Sequence, residues 1–186
     1  MVRSVCAGAL LGLGVALAVG PGWPGPGAAL EIRGVTHFVR APWRVDLVSY
    51  FTNVWEGNPE YYFTLELAAE AGASLGSLTI QQVRGVDRAF GFNVAASRAF
   101  VGRPRREGRA LPLQASFDEN ERRFTLVFPE PVAPGTTVTV VLRPWRNPAQ
   151  ADTYLFQVAA YPAGPDPVAS PVGFGTLRIY QPTWGF

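Results

Sequence analysis

Hydrophobic positions recur with a period of two along most of this chain. Tyr61, Phe63, Leu65 and Leu67 alternate with Tyr62, Thr64 and Glu66. Leu78 and Ile80 alternate with Thr79 and Gln81, and Phe90, Phe92 and Val94 are separated by Gly91 and Asn93. Further stripes are Phe124, Leu126 and Phe128; Val138, Val140 and Leu142; Tyr154, Phe156 and Val158; and Leu177 with Ile179. Such alternation predicts half-buried strands, one face to a core and one to solvent. A further strand is expected within Val45 to Phe51, and a single helical turn within Ala68 to Ala73. Turn chemistry separates the stripes: Gly57-Asn58-Pro59, Gly72 to Gly76, Asp118-Glu119-Asn120, Pro134-Gly135, Asn147-Pro148 and "PAGPDPVASPVG". About seven to nine short strands with aromatic inner stripes predict an all-β fold, an antiparallel β-sandwich of immunoglobulin-like type. Residues 30–186 read as one such domain, with no internal repeat.

The first 29 residues follow a different pattern. Arg3 precedes an uncharged run from Val5 to Val19, and "GPGWPGPGAA" then breaks any helix and supplies small residues up to Ala29. This is the layout of a secretory signal peptide over residues 1–29, read as cleaved, with an uncleaved anchor as the alternative. The run falls short of the roughly 20 apolar residues of a membrane span, so no span is expected after cleavage. No Arg-Arg pair precedes it, which argues against twin-arginine export. Cleavage removes Met1 and Cys6, the only Met and the only Cys. The exported chain is therefore expected to fold without a disulfide, on a core that buries roughly 70 % of its unfolded surface.

Composition narrows the chemistry. Every basic residue is Arg, so Lys-based Schiff-base and nucleophile chemistry is excluded. The formal net charge is only +2, and loss of Arg3 brings it closer to zero. That leaves no global attraction for nucleic acid. "GASLG", Gly72 to Gly76, matches a G-x-S-x-G nucleophile pattern. That motif needs a helix after the serine and a histidine downstream. Here a strand-like stretch follows, and the single histidine, His37, lies upstream, so Ser74 reads as a turn serine. One histidine without Cys or Met does not build a zinc or copper site; no metal and no cofactor are expected. The acids are scattered, and Asp118-Glu119-Asn120-Glu121 reads as a hairpin turn, lacking the glycine and final glutamate of a calcium loop. A glycosidase would need two carboxyl groups facing one cleft. Strands this short, with Glu, Gln and Arg on their polar faces, do not suit an outer-membrane barrel, despite the terminal Phe186.

Two features remain as candidate contact sites. "SRAFVGRPRREGR" gathers Arg98, Arg103, Arg105, Arg106 and Arg109, and Arg122 with Arg123 would join them if strands pair around the Asp118 turn. A basic loop of this kind suits acidic polysaccharide, lipid headgroups or an acidic protein patch; its plain alternative is a solvated, solubilising surface. The second feature is Trp43, Trp55, Trp145 and Trp184, each beside Pro, Arg, Gly or Glu outside the apolar stripes. Exposed rings stack on sugars, but large rings capping the ends of the sandwich are the expected arrangement. Trp145 is the sharpest case. Pro144 ends its strand because it has no amide hydrogen, and Asn147-Pro148 starts a turn, leaving Trp145 expected as a lid between Arg143 and Arg146.

Several segments occur together in one order: "YYFTLEL", "LGSLTIQQVRGVD", "RAFVG", "FPEPVAPGTTVTVVLRPWRNP", "TYLFQVAAYPAG" and "GFGTLRIY". In these the chain resembles a family of small exported cyanobacterial proteins, catalogued as a domain of unknown function, from about Leu30 to Tyr180. Ala151-Asp152-Thr153 stands where the family pattern often has a glycine pair. The resemblance implies export and a single β-rich domain, and carries no catalytic residue to this chain. The combined expectation is a non-catalytic interaction or structural module of the cell envelope, periplasmic or extracellular, with the thylakoid lumen as a further compartment. Its partner would be an envelope protein or an acidic polysaccharide, and the alternative is a carbohydrate-binding module.

Overall fold

The alternating stripes form strands in a computed structural model that describes residues 30–32 and 34–182. The expected signal segment, Trp184 and Phe186 lie outside the described residues. β1 (Leu30–Ile32) and β2 (Val35–His37) make a small antiparallel hairpin. One five-stranded sheet runs in the order β3 (Val45–Val48), β4 (Tyr61–Glu66), β10 (Thr137–Leu142), β6 (Arg98–Arg103), β7 (Arg106–Leu111). The other runs β12 (Ser170–Ile179), β11 (Asp152–Pro162), β5 (Leu75–Arg84), β9 (Arg123–Val132), β8 (Gln114–Asp118). Every pairing within both sheets is antiparallel. The chain changes sheets after β4, β5, β7, β9 and β10, so neither sheet is a simple meander. This is the expected antiparallel, immunoglobulin-like β-sandwich.

Inward residues of the two sheets meet in one core. Phe63 of β4 packs edge-on against Phe156 of β11, with ring centroids 5.6 Å apart, and Tyr61 meets the same ring at 6.2 Å. Where the edges β3 and β12 close together, Gly175 leaves room for Leu47; a side chain there would start 3.0 Å from the Leu47 Cβ. The outer face of β4 is also buried. Tyr62, Phe100 and Val141 form a second, smaller cluster, flanked by Tyr50 and by the Arg98 guanidinium, which lies 5.3 Å from the Phe100 ring centroid.

Four expectations need correction. The described strands number twelve, above the expected seven to nine. The excess lies in β1 and β2, which are too short to show alternation, in β8 (Gln114–Asp118), and in the arginine-rich stretch; β3 falls within the strand expected at Val45 to Phe51. That stretch is the hairpin β6–β7 and not a loop, turning where Gly102 and Arg105 take positive φ of 109° and 64°. The Phe90–Val94 stripe is not a strand: it ends in a 3-10 turn, Val94–Ala96. Its backbone pairs with the stretch after β10, through the Phe92–Pro144 bridge and the Asn93 N–H to the Arg143 carbonyl at 2.8 Å. Pro144 has no N–H to extend that ladder. Ala68 to Ala71 is a turn without a helix, closed by the Ala71 N–H on the Ala68 carbonyl at 3.0 Å.

Candidate functional site

Three connections converge at one end of the sandwich: 49–60 before β4, 85–93 after β5, and 143–151 between β10 and β11. Their backbones are tied reciprocally. The Asn58 N–H donates to the Trp145 carbonyl at 3.0 Å, and the Asn147 N–H to the Glu56 carbonyl at 2.8 Å. The Trp145 N–H reaches the Gly91 carbonyl at 3.0 Å, and the Trp55 N–H the Pro148 carbonyl at 3.3 Å. Asn147, only 1 % exposed, is the clamp. Its Nδ2 donates to the carbonyls of Phe51 at 3.0 Å and Asn53 at 2.9 Å, and its Oδ1 accepts the Tyr61 hydroxyl at 2.8 Å. Both oxygens of Asp87 close the remaining gap: Oδ1 accepts the Ala89 N–H at 2.9 Å and Oδ2 the Ala149 N–H at 2.7 Å.

This frame holds two tryptophans in the open. Trp55 is 60 % exposed and Trp145 is 56 % exposed. Between them lies a cleft of about 400 Å³, mainly apolar, lined by Trp55, Asp87, Phe90, Trp145, Arg146 and Gln150 among others. The Trp145 ring rests over Gly91, where an added side chain would touch its Cδ1 at 3.5 Å. Trp55 carries a positive φ of 61°. A residue with a side chain in that left-handed region costs about 1–2 kcal/mol, and backbone strain of this kind gathers at functional sites.

The expected lid is thus overturned. Trp145 does not cover the core, and Trp43, 75 % exposed, does not either. The end of the sandwich is instead plugged by smaller rings: Phe90, Phe92, Phe117, Phe124 and Tyr154 pack against one another in tilted or edge-on pairs. Under them sits Arg122, 5 % exposed, with its guanidinium carbon 4.7 Å from the Phe90 centroid and 5.1 Å from that of Phe117. Its Nε donates to the Gln82 Oε1 at 3.2 Å, and its Nη2 has no hydrogen-bond partner. Burial, and then the charge of Arg88, pull its pKa below the usual arginine range.

The arginines singled out by sequence do not gather. Arg103 bridges Asp46, at 3.3 Å, and Glu66. Arg105 stacks over Tyr50, 4.1 Å from its centroid. Arg106 and Arg109 lie exposed on the edge strand β7, with Arg109 3.9 Å from Glu130. Arg98 makes a bidentate pair with Glu107 at 2.7 and 3.0 Å. Arg122 and Arg123 belong to the β8–β9 hairpin of the other sheet and do not join them. Of the proposed contact residues, the structure brings only Trp145 and Arg146 into the cleft, while Arg143 turns to Glu60 at 3.5 Å. Trp55 belongs with them; its place beside a Gly-Asn-Pro turn was visible, its neighbour across the chain was not. Asp46 and Glu66 do line one small hollow beside Trp43, but both carboxylates are ion-paired to Arg103 between them. Ser74 sits directly before β5, without a following helix.

A family model described as protein of unknown function (DUF2808) matches residues 35–179. No curated protein matches the chain. An uncharacterised immunoglobulin-like protein from Nocardia farcinica aligns at 18 % identity, over 73 % of this chain and 97 % of that one, with a TM-score of 0.48. The collagen-binding domain of a Staphylococcus aureus adhesin aligns at 5 % identity, over 76 % and 99 %, with a TM-score of 0.42. The collagen-binding subdomain of the Enterococcus faecalis surface protein ACE aligns at 10 % identity, over 75 % and 97 %, with a TM-score of 0.43.

Proposed function

The chain belongs to the DUF2808 family, and from that footing we propose that it is an exported, non-catalytic binding module of the cell envelope that takes a glycan in the cleft between Trp55 and Trp145. The observation that carries this reading is Trp55. A large ring stands 60 % exposed on a strained left-handed backbone, where glycine would sit without strain. The fold gains little from such a residue, so a surface role accounts for it. Two exposed indole rings lining one mainly apolar cleft suit the C–H faces of a sugar ring, whose weakly positive hydrogens meet the negative face of the π-system. The cleft volume falls within the range of ligand sites, roughly 300–1,000 Å³. The backbone ties and the Asn147 clamp hold the two loops that carry the rings in place before binding, which lowers the ordering cost.

The basic hairpin supports a contact role less well, because Arg98, Arg103 and Arg109 already face acids of this chain. Export is read from the pattern of residues 1–29, and the envelope setting follows from export. The test is tryptophan emission during titration with soluble polysaccharides. A saturable shift is expected for the native protein, abolished in Trp145→Ala. A flat response to neutral and acidic polymers alike would overturn the reading.

A further inference from the structure

Resting on the glycan reading, we infer that the ligand is an acidic glycan whose carboxylate or sulfate is taken by Arg146. The cleft has two charged lining residues, Asp87 and Arg146. Asp87 is occupied: each of its oxygens already accepts a backbone N–H, so it acts as a staple between two loops. Asn147 is likewise occupied on both its oxygen and its nitrogen. Arg146 is different. It is exposed, and no acid lies within ion-pair distance of it among the described residues. Its neighbour Arg143 shows the contrast, being held by Glu60.

The floor adds to the same sign. The Phe90 ring that lines the cleft lies over the buried Arg122 guanidinium at 4.7 Å, and the Nη2 of that group has no partner. A cation behind the ring leaves the cleft more positive than its lining residues alone would make it. The unmet demand in the site is therefore one planar guanidinium fork, lining the same cleft as two exposed tryptophans. That geometry fits a sugar bearing an anionic group: the ring stacks on tryptophan, and the anion takes two parallel N–H donors. Carboxylate and sulfate share this chemistry.

The experiment is titration with dextran, polygalacturonate and dextran sulfate, followed by tryptophan emission, on the native protein, Arg146→Gln and the double variant Arg105→Gln/Arg106→Gln. One charge-assisted contact is worth roughly tenfold in affinity. The native protein is expected to bind at least one acidic polymer about tenfold tighter than dextran. The polygalacturonate and dextran sulfate arms show whether carboxylate or sulfate is the partner. Arg146→Gln is expected to remove that preference, so that the variant binds the acidic polymers no tighter than dextran; the hairpin double variant is expected to keep the preference. Equal affinity for all three polymers overturns the acidic assignment and leaves the cleft as a neutral glycan site. Loss of preference in the hairpin variant with retention in Arg146→Gln overturns the role of Arg146 and moves the contact to β6–β7. Absence of any response to all three polymers removes the glycan reading itself.

Discussion

Trp55 separates binding from folding at a single residue. Its backbone lies in the left-handed region, which costs an ordinary residue about 1–2 kcal/mol. Glycine relieves that strain but loses more backbone entropy on folding, by roughly 0.5–1 kcal/mol. The ring is mostly in water, so removing it forfeits little buried surface. Trp55→Gly is therefore expected to leave stability within about 1 kcal/mol of the native protein in urea denaturation, while the glycan-induced emission change disappears. A loss of several kcal/mol would mean that the ring is a structural cover after all. The residue scale is also where sequence reading stops short. Composition placed Trp145 beside two arginines, but a lid and an exposed platform have the same sequence. What decides between them is Gly91 beneath the ring and Asn147 gripping Phe51 and Asn53, partners more than ninety positions away in the chain.

At the scale of elements, period-two alternation was enough to locate β4, β5, β9, β10, β11 and β12, because each sets alternate residues on the core; the outer faces of β4 and β10 are covered as well, yet carry the polar Thr64 and Thr139. It misled at Phe90–Val94. Those rings alternate too, but they plug the end of the sandwich, and their backbone meets a partner that Pro144 cuts short. The charged hairpin β6–β7 was hidden for the opposite reason: β7 is an edge strand whose side chains are nearly all exposed, so it has no apolar stripe. Its charges guard an open edge and add little energy. Arg103→Ala removes pairs to Asp46 and Glu66 that are exposed to solvent. The expected cost is under about 1 kcal/mol. It is expected to vanish near 1 M NaCl, where the screening length falls to about 3 Å. Phe156→Ala, by contrast, empties the junction of the two sheets and is expected to cost about 3–5 kcal/mol at any salt. Urea melts of both variants at low and high salt make the comparison. A large, salt-insensitive cost for Arg103→Ala would give the hairpin a structural weight that its exposure does not suggest.

Across the whole molecule, Gln82, Arg122, Asn147 and the rings of Tyr61 and Tyr154 are buried at the cleft end, and that end should set the response to alkaline pH. Tyr61 is fully buried with its hydroxyl on Asn147, and burial drives its pKa upward. Tyr154, also fully buried, donates to the Gln150 carbonyl at 2.8 Å, and burial pushes it up to about 12. Tyr62, on the outer face of the other sheet, is pushed up to about 12 by burial and then by its hydrogen bond to Glu60. An unfolded tyrosine loses its proton near pH ~10. Between about pH 10 and 12 the unfolded chain therefore holds fewer protons than the folded one, and stability must fall as pH rises. This contribution is fully present below about pH 10 and is lost as the pH rises above it. Thermal melts are expected to be unaffected by these tyrosines up to about pH 10 and to fall steeply above it. The tyrosinate absorbance of the buried rings should appear together with unfolding. Glycan binding should fail in the same window, because Tyr61 holds the asparagine that ties the Trp55 and Trp145 loops. A melting temperature that stays level to pH 12, or buried tyrosines that ionise while the β-sheet signal persists, would show that the cleft end opens without the rest.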